Sequence, residues 1–119
     1  MTFSDSTDNG WVPFDEGRSI GREGSEDGLV MRDEAYGSRA RLTLENETFP
    51  APYAITCGIY GWMMHTRYFA SLDEAQAAFS DMKPDIERIL TLITTETLDD
   101  DTRFVLVAGE LKEFIARYP

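Results

Sequence analysis

Hydrophobic residues recur at helical spacing in the second half of the chain. From residue 72 onward they are separated by three or four positions: Leu72, Ala75, Phe79, Met82, Ile86, Ile89 and Ile93. This spacing forms one apolar stripe along a helix. Ser71 and Glu74 have the arrangement of a capping box, which marks a helix start. We predict a helix over about 72–96 that is kinked at Pro84, with a break into two helices there as the alternative.

A second helix is predicted over about 102–118. Asp99, Asp100 and Asp101 supply N-cap side chains, and the following apolar residues share one helical face. These are Phe104, Val107, Ala108, Leu111, Phe114, Ile115 and Tyr118. The run 104–107 is also rich in aromatic and β-branched residues, so a short strand there is the alternative.

The middle of the chain has the two-residue alternation of strands. In RARLTLE, Ala40, Leu42 and Leu44 alternate with polar residues, which indicates one buried and one wet face. The nearly uncharged stretch 53–69 forms a strand pair that reverses at Gly61. We predict an α+β fold with a four-stranded antiparallel meander, at 28–33, 39–46, 53–60 and 62–69, and the C-terminal helices packed on one face.

The loop length at Gly61 decides which hairpin side chains share a face. A two-residue loop of Tyr60 and Gly61 pairs Ile59 with Trp62. It places Thr56, His65 and Arg67 on one face and Cys57 on the other. A loop one residue longer or shorter exchanges these faces.

The length of 119 residues fits one domain. Residues 1–27 lack periodicity, so we predict an irregular acidic arm, mobile over about its first eight residues, before a single α+β domain at 28–119. The glycines of GRSIGREGSEDG match neither a dinucleotide-binding motif nor a P-loop, and we interpret them as turns.

The net charge of −11 is unevenly distributed. Residues 1–27 carry seven acids and two bases and residues 71–101 nine acids and two bases, whereas residues 28–70 carry four of each. Such a surface repels nucleic acid and anionic membranes and attracts a basic partner. No secretory signal or membrane span is apparent, and we expect a cytoplasmic protein.

Cys57 and His65 are the candidates for catalysis, because imidazole can activate a thiolate. With the two-residue loop, Cys57 and His65 lie on opposite faces of the hairpin and cannot act together. With a longer loop they share a face. No cysteine-hydrolase motif surrounds Cys57, so a buried small hydrophobic residue is the competing interpretation.

A binding site for an anionic group is the second candidate. His65 with Arg67 and Thr56, completed by Arg39 or Arg41 from the neighbouring strand, would offer guanidinium contacts to a carboxylate or phosphate. Alternatively, these arginines pair with acids across a wet sheet, from the set Asp33, Glu34, Glu45 and Glu47. We expect no metal and no cofactor, because one histidine and one cysteine do not make a zinc site.

Bulky side chains crowd the hairpin, and Trp62, Met63, Tyr68 and Phe69 form a candidate interface. The helices can cover only one side of the sheet. The other side is covered either by the arm, through Trp11 and Phe14, or by another molecule, including a second copy.

In size, charge and fold class the chain resembles small acidic accessory proteins, such as toxin-neutralising immunity proteins; no specific motif carries this resemblance. The first hypothesis is a binding or accessory protein that acts by protein–protein contact, with a basic partner. The alternative is a small-molecule-binding or enzymatic domain with a pocket around His65 and Arg67. The second alternative is a self-associating structural protein.

Overall fold

The computed structural model describes residues 10–119 and contains five strands followed by two helices. The strands are β1 (Trp11–Pro13), β2 (Leu29–Tyr36), β3 (Ala40–Asn46), β4 (Tyr53–Ile59) and β5 (Met63–Phe69); the helices are α1 (Leu72–Thr94) and α2 (Asp100–Arg117). The strands form one antiparallel sheet in sequence order. The α+β class is confirmed, but the sheet has five strands where the sequence predicts four. The prediction that the first eight residues are mobile falls outside the described residues.

The additional strand comes from the predicted arm. β1 pairs with the end of β2, Trp11 opposite Tyr36 and Pro13 opposite Glu34. Three residues of β1 are too short to show a period, and Pro13 is tolerated because β1 is an edge strand. β2 also continues to Tyr36, three residues beyond the predicted end of this strand at 33.

One face of the sheet and the inner sides of both helices enclose the core. The sheet contributes Ala40, Leu42, Leu44, Ile55, Cys57 and Ile59, and α1 contributes Ala75, Phe79, Met82, Ile86 and Ile89. Trp11 is fully buried on this side and donates from Nε1 to Glu87 at 2.9 Å. The apolar stripe of α1 therefore packs as its spacing predicts.

α1 remains one helix through Pro84. Ser71 accepts from the Glu74 amide at its start, as the capping box predicts. α2 starts at the predicted aspartates, with Asp99 accepting from the Thr102 amide at 2.7 Å. Residues 104–107 are helical, so the strand alternative for this run is wrong. Neither helix is long and apolar enough to cross a membrane within the part of the chain described.

The hairpin has the longer of the loops that the sequence leaves open, not the two-residue loop of Tyr60 and Gly61. Ile59 pairs with Met63 and Cys57 lies directly opposite His65, so the loop has three residues, 60–62. Gly61 takes the positive φ expected of the turn, 85°. The additional loop residue exchanges the faces of β5. As a result His65 and Arg67 share the helix-covered face with Cys57, while Thr56 lies on the opposite, open face.

Candidate ligand pocket on the open face of the sheet

Residues 14–28 run across the open face of the sheet and enclose a cavity of about 300 Å³ against it. We call this segment the cover loop. The strands supply the floor, through Val30, Thr43, Thr56, Gly58 and Met64. Because alternate strand residues face the same side, Thr43 on β3 and its partner Thr56 on β4 project together into the cavity. The pocket therefore follows directly from the sheet register.

Gly58 gives the floor its depth. A Cβ atom at this position would lie 3.2 Å from Met64 Sδ, inside the volume that the cavity occupies. Since every other residue type would project a side chain there, glycine keeps the centre of the floor open.

The cover loop supplies the wall through Ser19 and residues 22–25. Main-chain hydrogen bonds hold it against the start of β2. The Gly21 amide donates to the Val30 carbonyl at 2.8 Å, and the Val30 amide donates to the Arg22 carbonyl at 2.9 Å. The wall is thus tied to the sheet by regular backbone pairing.

The buried carboxylate of Glu45 anchors the far end of the cover loop. Glu45 is 0% exposed and accepts hydrogen bonds from the amides of Glu26, at 3.2 Å, and Gly28, at 3.0 Å. The Tyr68 hydroxyl donates to the Glu26 carboxylate at 2.8 Å and adds a second tie to the sheet. A buried carboxylate requires such donors, so the loop and Glu45 depend on each other.

Close packing at this anchor explains two glycines of the cover loop. A Cβ atom at Gly24 would lie 2.4 Å from the carboxyl carbon of Glu45, and one at Gly28 would lie 2.2 Å from the Asn46 carbonyl oxygen. Both distances are far below van der Waals contact. The glycine spacing that the sequence analysis interpreted as turns therefore also permits close approach of the loop to β3.

Arg41 lines the pocket as half of an ion pair. Its guanidinium donates to both carboxylate oxygens of Asp33, at 2.8 and 2.6 Å, and the Thr43 hydroxyl donates to the same carboxylate at 3.0 Å. The hydrogen bonds to Asp33 raise the pKa of Arg41, and its guanidinium stacks on the Phe14 ring at 3.5 Å from the ring centre. Its charge is therefore neutralised and its position fixed.

Hydroxyl groups give the pocket its hydrogen-bonding capacity. Ser19 Oγ is buried and has no hydrogen-bond partner among the described residues. Thr56 Oγ1 lies 3.2 Å from Thr66 Oγ1, and the exposed side chain of Tyr60 stands at the rim. Buried polar atoms are normally paired, so Ser19 is available to a bound molecule.

The ligand residues that the sequence analysis grouped are only partly brought together. Arg41 and Thr56 line the pocket. Arg67 instead lies over the Phe69 ring at 4.7 Å on the helix-covered face, and Arg39 lies over Tyr36 at 5.7 Å at the end of the sheet. A site that joins Thr56 to His65 and Arg67 is excluded by the observed register. The cover-loop residues were missed, because nothing in their local pattern says where the loop packs.

The candidate catalytic residues are adjacent, with Cys57 buried and His65 half-buried. Cys57 is 0% exposed, its Sγ donates to the His65 carbonyl at 3.5 Å, and burial raises the pKa of its thiol to about 12. His65 Nε2 donates to the carbonyl of Tyr118, which fixes the C-terminal end of the chain against β5. A thiol with this pKa is un-ionised at neutral pH, so this arrangement does not provide an activated nucleophile.

The four candidate interface residues do not form one surface. Phe69 is buried, Met63 packs beside the core, and Tyr68 faces the cover loop. Trp62 is half-buried beside Phe104 of α2, with ring centres 6.3 Å apart. A contact role for these residues remains a prediction.

Neither metal-binding side chains nor similarity to known proteins identifies a further site in the described part of the chain. The described residues contain no group of three or more metal-binding side chains. Comparison with protein-family models, with curated protein sequences and with solved structures found no match.

Proposed function

We propose that this protein binds a small molecule in the pocket between the cover loop and the open face of the sheet. The observation that carries the proposal is a preformed cavity of about 300 Å³ whose wall and floor are each fixed by hydrogen bonds. This volume is at the lower end of the range for ligand pockets, about 300–1,000 Å³. The pocket replaces the site around His65 and Arg67 in the small-molecule hypothesis.

The lining indicates the class of ligand. Arg41 is neutralised by Asp33, and the other two charged lining residues, Arg22 and Glu23, have opposite signs. Val30, Gly58 and Met64 offer apolar surface, and Ser19, Thr43 and Thr56 offer hydroxyls. This combination suits a small uncharged molecule with an apolar ring and several hydrogen-bonding groups.

A thermal-shift screen of neutral ring-containing fragments tests the proposal. A ligand present at 100 times its Kd stabilises the folded protein by about 2.7 kcal/mol, which gives a clear increase in Tm. We expect hits whose affinity falls more than about tenfold, or about 1.4 kcal/mol, in Gly58→Val, because the new side chain occupies the floor of the cavity.

Gly109→Ala is the matched control for that variant. Gly109 lies on α2, away from the pocket, with no atom near the position of an added Cβ. It should bind the fragments like the unmodified chain. Fragments that bind Gly58→Val with unchanged affinity would contradict the location of the site.

Contact with a basic protein partner is a second proposal. Asp73, Glu74 and Asp81 are exposed on α1, and the ion pairs found among residues 10–119 involve none of them. Exposed acids that form no ion pair attract basic surfaces at moderate salt. We expect the chain to retain a partner from cell extract at low salt and to release it at high salt.

The triple variant Asp73→Asn/Glu74→Gln/Asp81→Asn should lose this partner. Glu113→Gln, which removes one exposed acid from α2, should retain it. A complex that is indifferent to salt, or that survives the triple variant, would contradict this proposal.

A further inference from the structure

α2 has apolar side chains that the core does not bury. Only Val107 and Phe114 of this helix are buried, whereas Phe104 is 62% exposed, Val105 68% and Ile115 40%. Contiguous apolar surface of this kind marks an interaction site more often than a scattered exposed residue does.

The spacing of these residues defines one stripe. Phe104, Ala108, Leu111 and Ile115 are separated by four, three and four positions and so share one side of the helix. We call this set the α2 stripe. Trp62 of the hairpin loop stands beside it, and the two enclose a shallow groove of about 370 Å³. Gly61 lines the hairpin side of the groove beside Trp62.

We propose that the α2 stripe binds a second copy of this chain, with the two α2 helices packed antiparallel about a two-fold axis near Ala108. A small side chain at the crossing point lets two helices approach closely. Larger apolar residues then flank the crossing on both sides, Phe104 before it and Ile115 after it. The stripe is thus self-complementary, as a two-fold interface requires.

Charge along the flank of the stripe favours this orientation. Asp101 lies seven residues before Ala108 and Lys112 four residues after it, and both are exposed. In the antiparallel arrangement their positions along the axis differ by three residues, about 4.5 Å, which a lysine side chain can span. Two such pairs form per dimer, whereas a parallel arrangement would leave Asp101 and Lys112 of the second copy 11 residues, about 16 Å, apart along the axis.

The same region is one where two acidic copies can approach. The chain has a net charge of −11, but α2, residues 100–117, carries four acids and three bases. Other surfaces of α1 and the cover loop would meet with like charge, which opposes association. This inference is independent of the ligand pocket, which lies on the opposite side of the sheet.

Sedimentation velocity over a concentration series tests the proposal, with Phe104→Glu as the disruptive variant. Phe104 is exposed, so the fold should be retained, which a CD melt verifies. Leu106→Glu is the matched control, because Leu106 is 43% exposed but lies on the opposite side of α2 from the stripe. We expect a dimer for the unmodified chain and for Leu106→Glu, and a monomer for Phe104→Glu.

Charge reversal tests the orientation. Asp101→Lys and Lys112→Asp should each raise the dimer Kd by about tenfold, and the double variant should restore it, since the pair is re-formed with its signs exchanged. A chain that is monomeric up to roughly 1 mM, beyond which a specific interface is not useful, would overturn the proposal. A dimer that survives Phe104→Glu, or a different protein bound to the stripe of a monomeric chain, would overturn it as well.

Discussion

The Cys57 thiol and the His65 imidazole lie on paired residues of adjacent strands, a placement that on a surface would suggest covalent chemistry. Burial changes their role. Cys57 is enclosed by the core and its pKa is raised to about 12, while His65 is used to hold the Tyr118 carbonyl. His65 thus holds the C-terminal residues against β5, and Cys57 packs in the core.

The Cys57 thiol should resist modification in the native protein. At pH 8 an un-ionised buried thiol reacts slowly with iodoacetamide, so we expect labelling only after unfolding in denaturant, followed by mass spectrometry. Rapid labelling of the folded chain under the same conditions would contradict this account of Cys57.

Tyr118 should make the fold sensitive to alkaline pH. Burial, followed by the hydrogen bond of 2.9 Å from its hydroxyl to Asp85, raises the pKa of Tyr118 to about 12. Because the folded state holds this proton more tightly than the unfolded chain, the stabilisation is complete below about pH 10 and is lost as pH rises through about 12.

In the unmodified chain the free energy of unfolding, measured by urea denaturation, should fall between pH 9 and pH 12. In Tyr118→Phe this fall should be smaller. Tyr60→Phe is the control, because it removes a hydroxyl from a side chain that is 49% exposed in the hairpin loop. Equal slopes for Tyr118→Phe and the unmodified chain would contradict the role of this hydroxyl.

At the scale of the elements, the cover loop is largely irregular, but hydrogen bonds attach it to the sheet at two places. The Glu45 carboxylate accepts hydrogen bonds from two backbone amides of the loop. Main-chain hydrogen bonds to β2 hold the loop at residues 21 and 22. Since this loop forms one wall of the pocket, its attachment sets the shape of the proposed site.

Replacing the anchor should release the loop. In Glu45→Ala the amides of Glu26 and Gly28 lose their acceptor, which we expect to destabilise the fold by about 1–3 kcal/mol. Hydrogen exchange at those two amides should accelerate more than exchange in β4. Glu113→Ala removes an equal charge from an exposed position and should change neither quantity; unchanged protection in Glu45→Ala would contradict the anchoring role.

Local sequence signals predicted the helices because their causes are local. The Ser71–Glu74 cap and the three-four spacing from Leu72 to Ile93 act within one segment, and the stripe predicted that the chain stays in phase across Pro84. The hairpin register was not decidable in the same way. Both faces of residues 53–69 carry bulky side chains, so a shift of one residue left no visible conflict.

The position of the cover loop depends on contacts that no local pattern encodes. Its attachment to Glu45 joins residues 17 to 19 positions apart through a single buried carboxylate. Arg41 is predicted as a ligand residue from the polar face of the 39–46 strand, whereas Thr56 is predicted only through a two-residue hairpin loop that the structure does not have. Ser19 and residues 22–25 are not predicted, because only the folded loop places them opposite the sheet.

At the scale of the whole molecule, the two faces of the sheet differ. One face and the helices form the core, with the buried Trp11 fixing β1 to it. The other face, covered by the loop, forms the pocket. The acids are concentrated in residues 1–27 and 71–101, and of those in the cover loop only Glu23 reaches the pocket lining.

An amide NMR titration tests most directly whether the pocket binds a ligand. A ¹⁵N-labelled sample is titrated with the strongest fragment from the neutral screen. We expect saturable shifts at the amides of Gly24, Thr56 and Gly58, with α2 unaffected, and loss of these shifts in Gly58→Val. Saturable shifts that map elsewhere, or that persist in Gly58→Val, would contradict binding in the pocket, as would the absence of any saturating fragment.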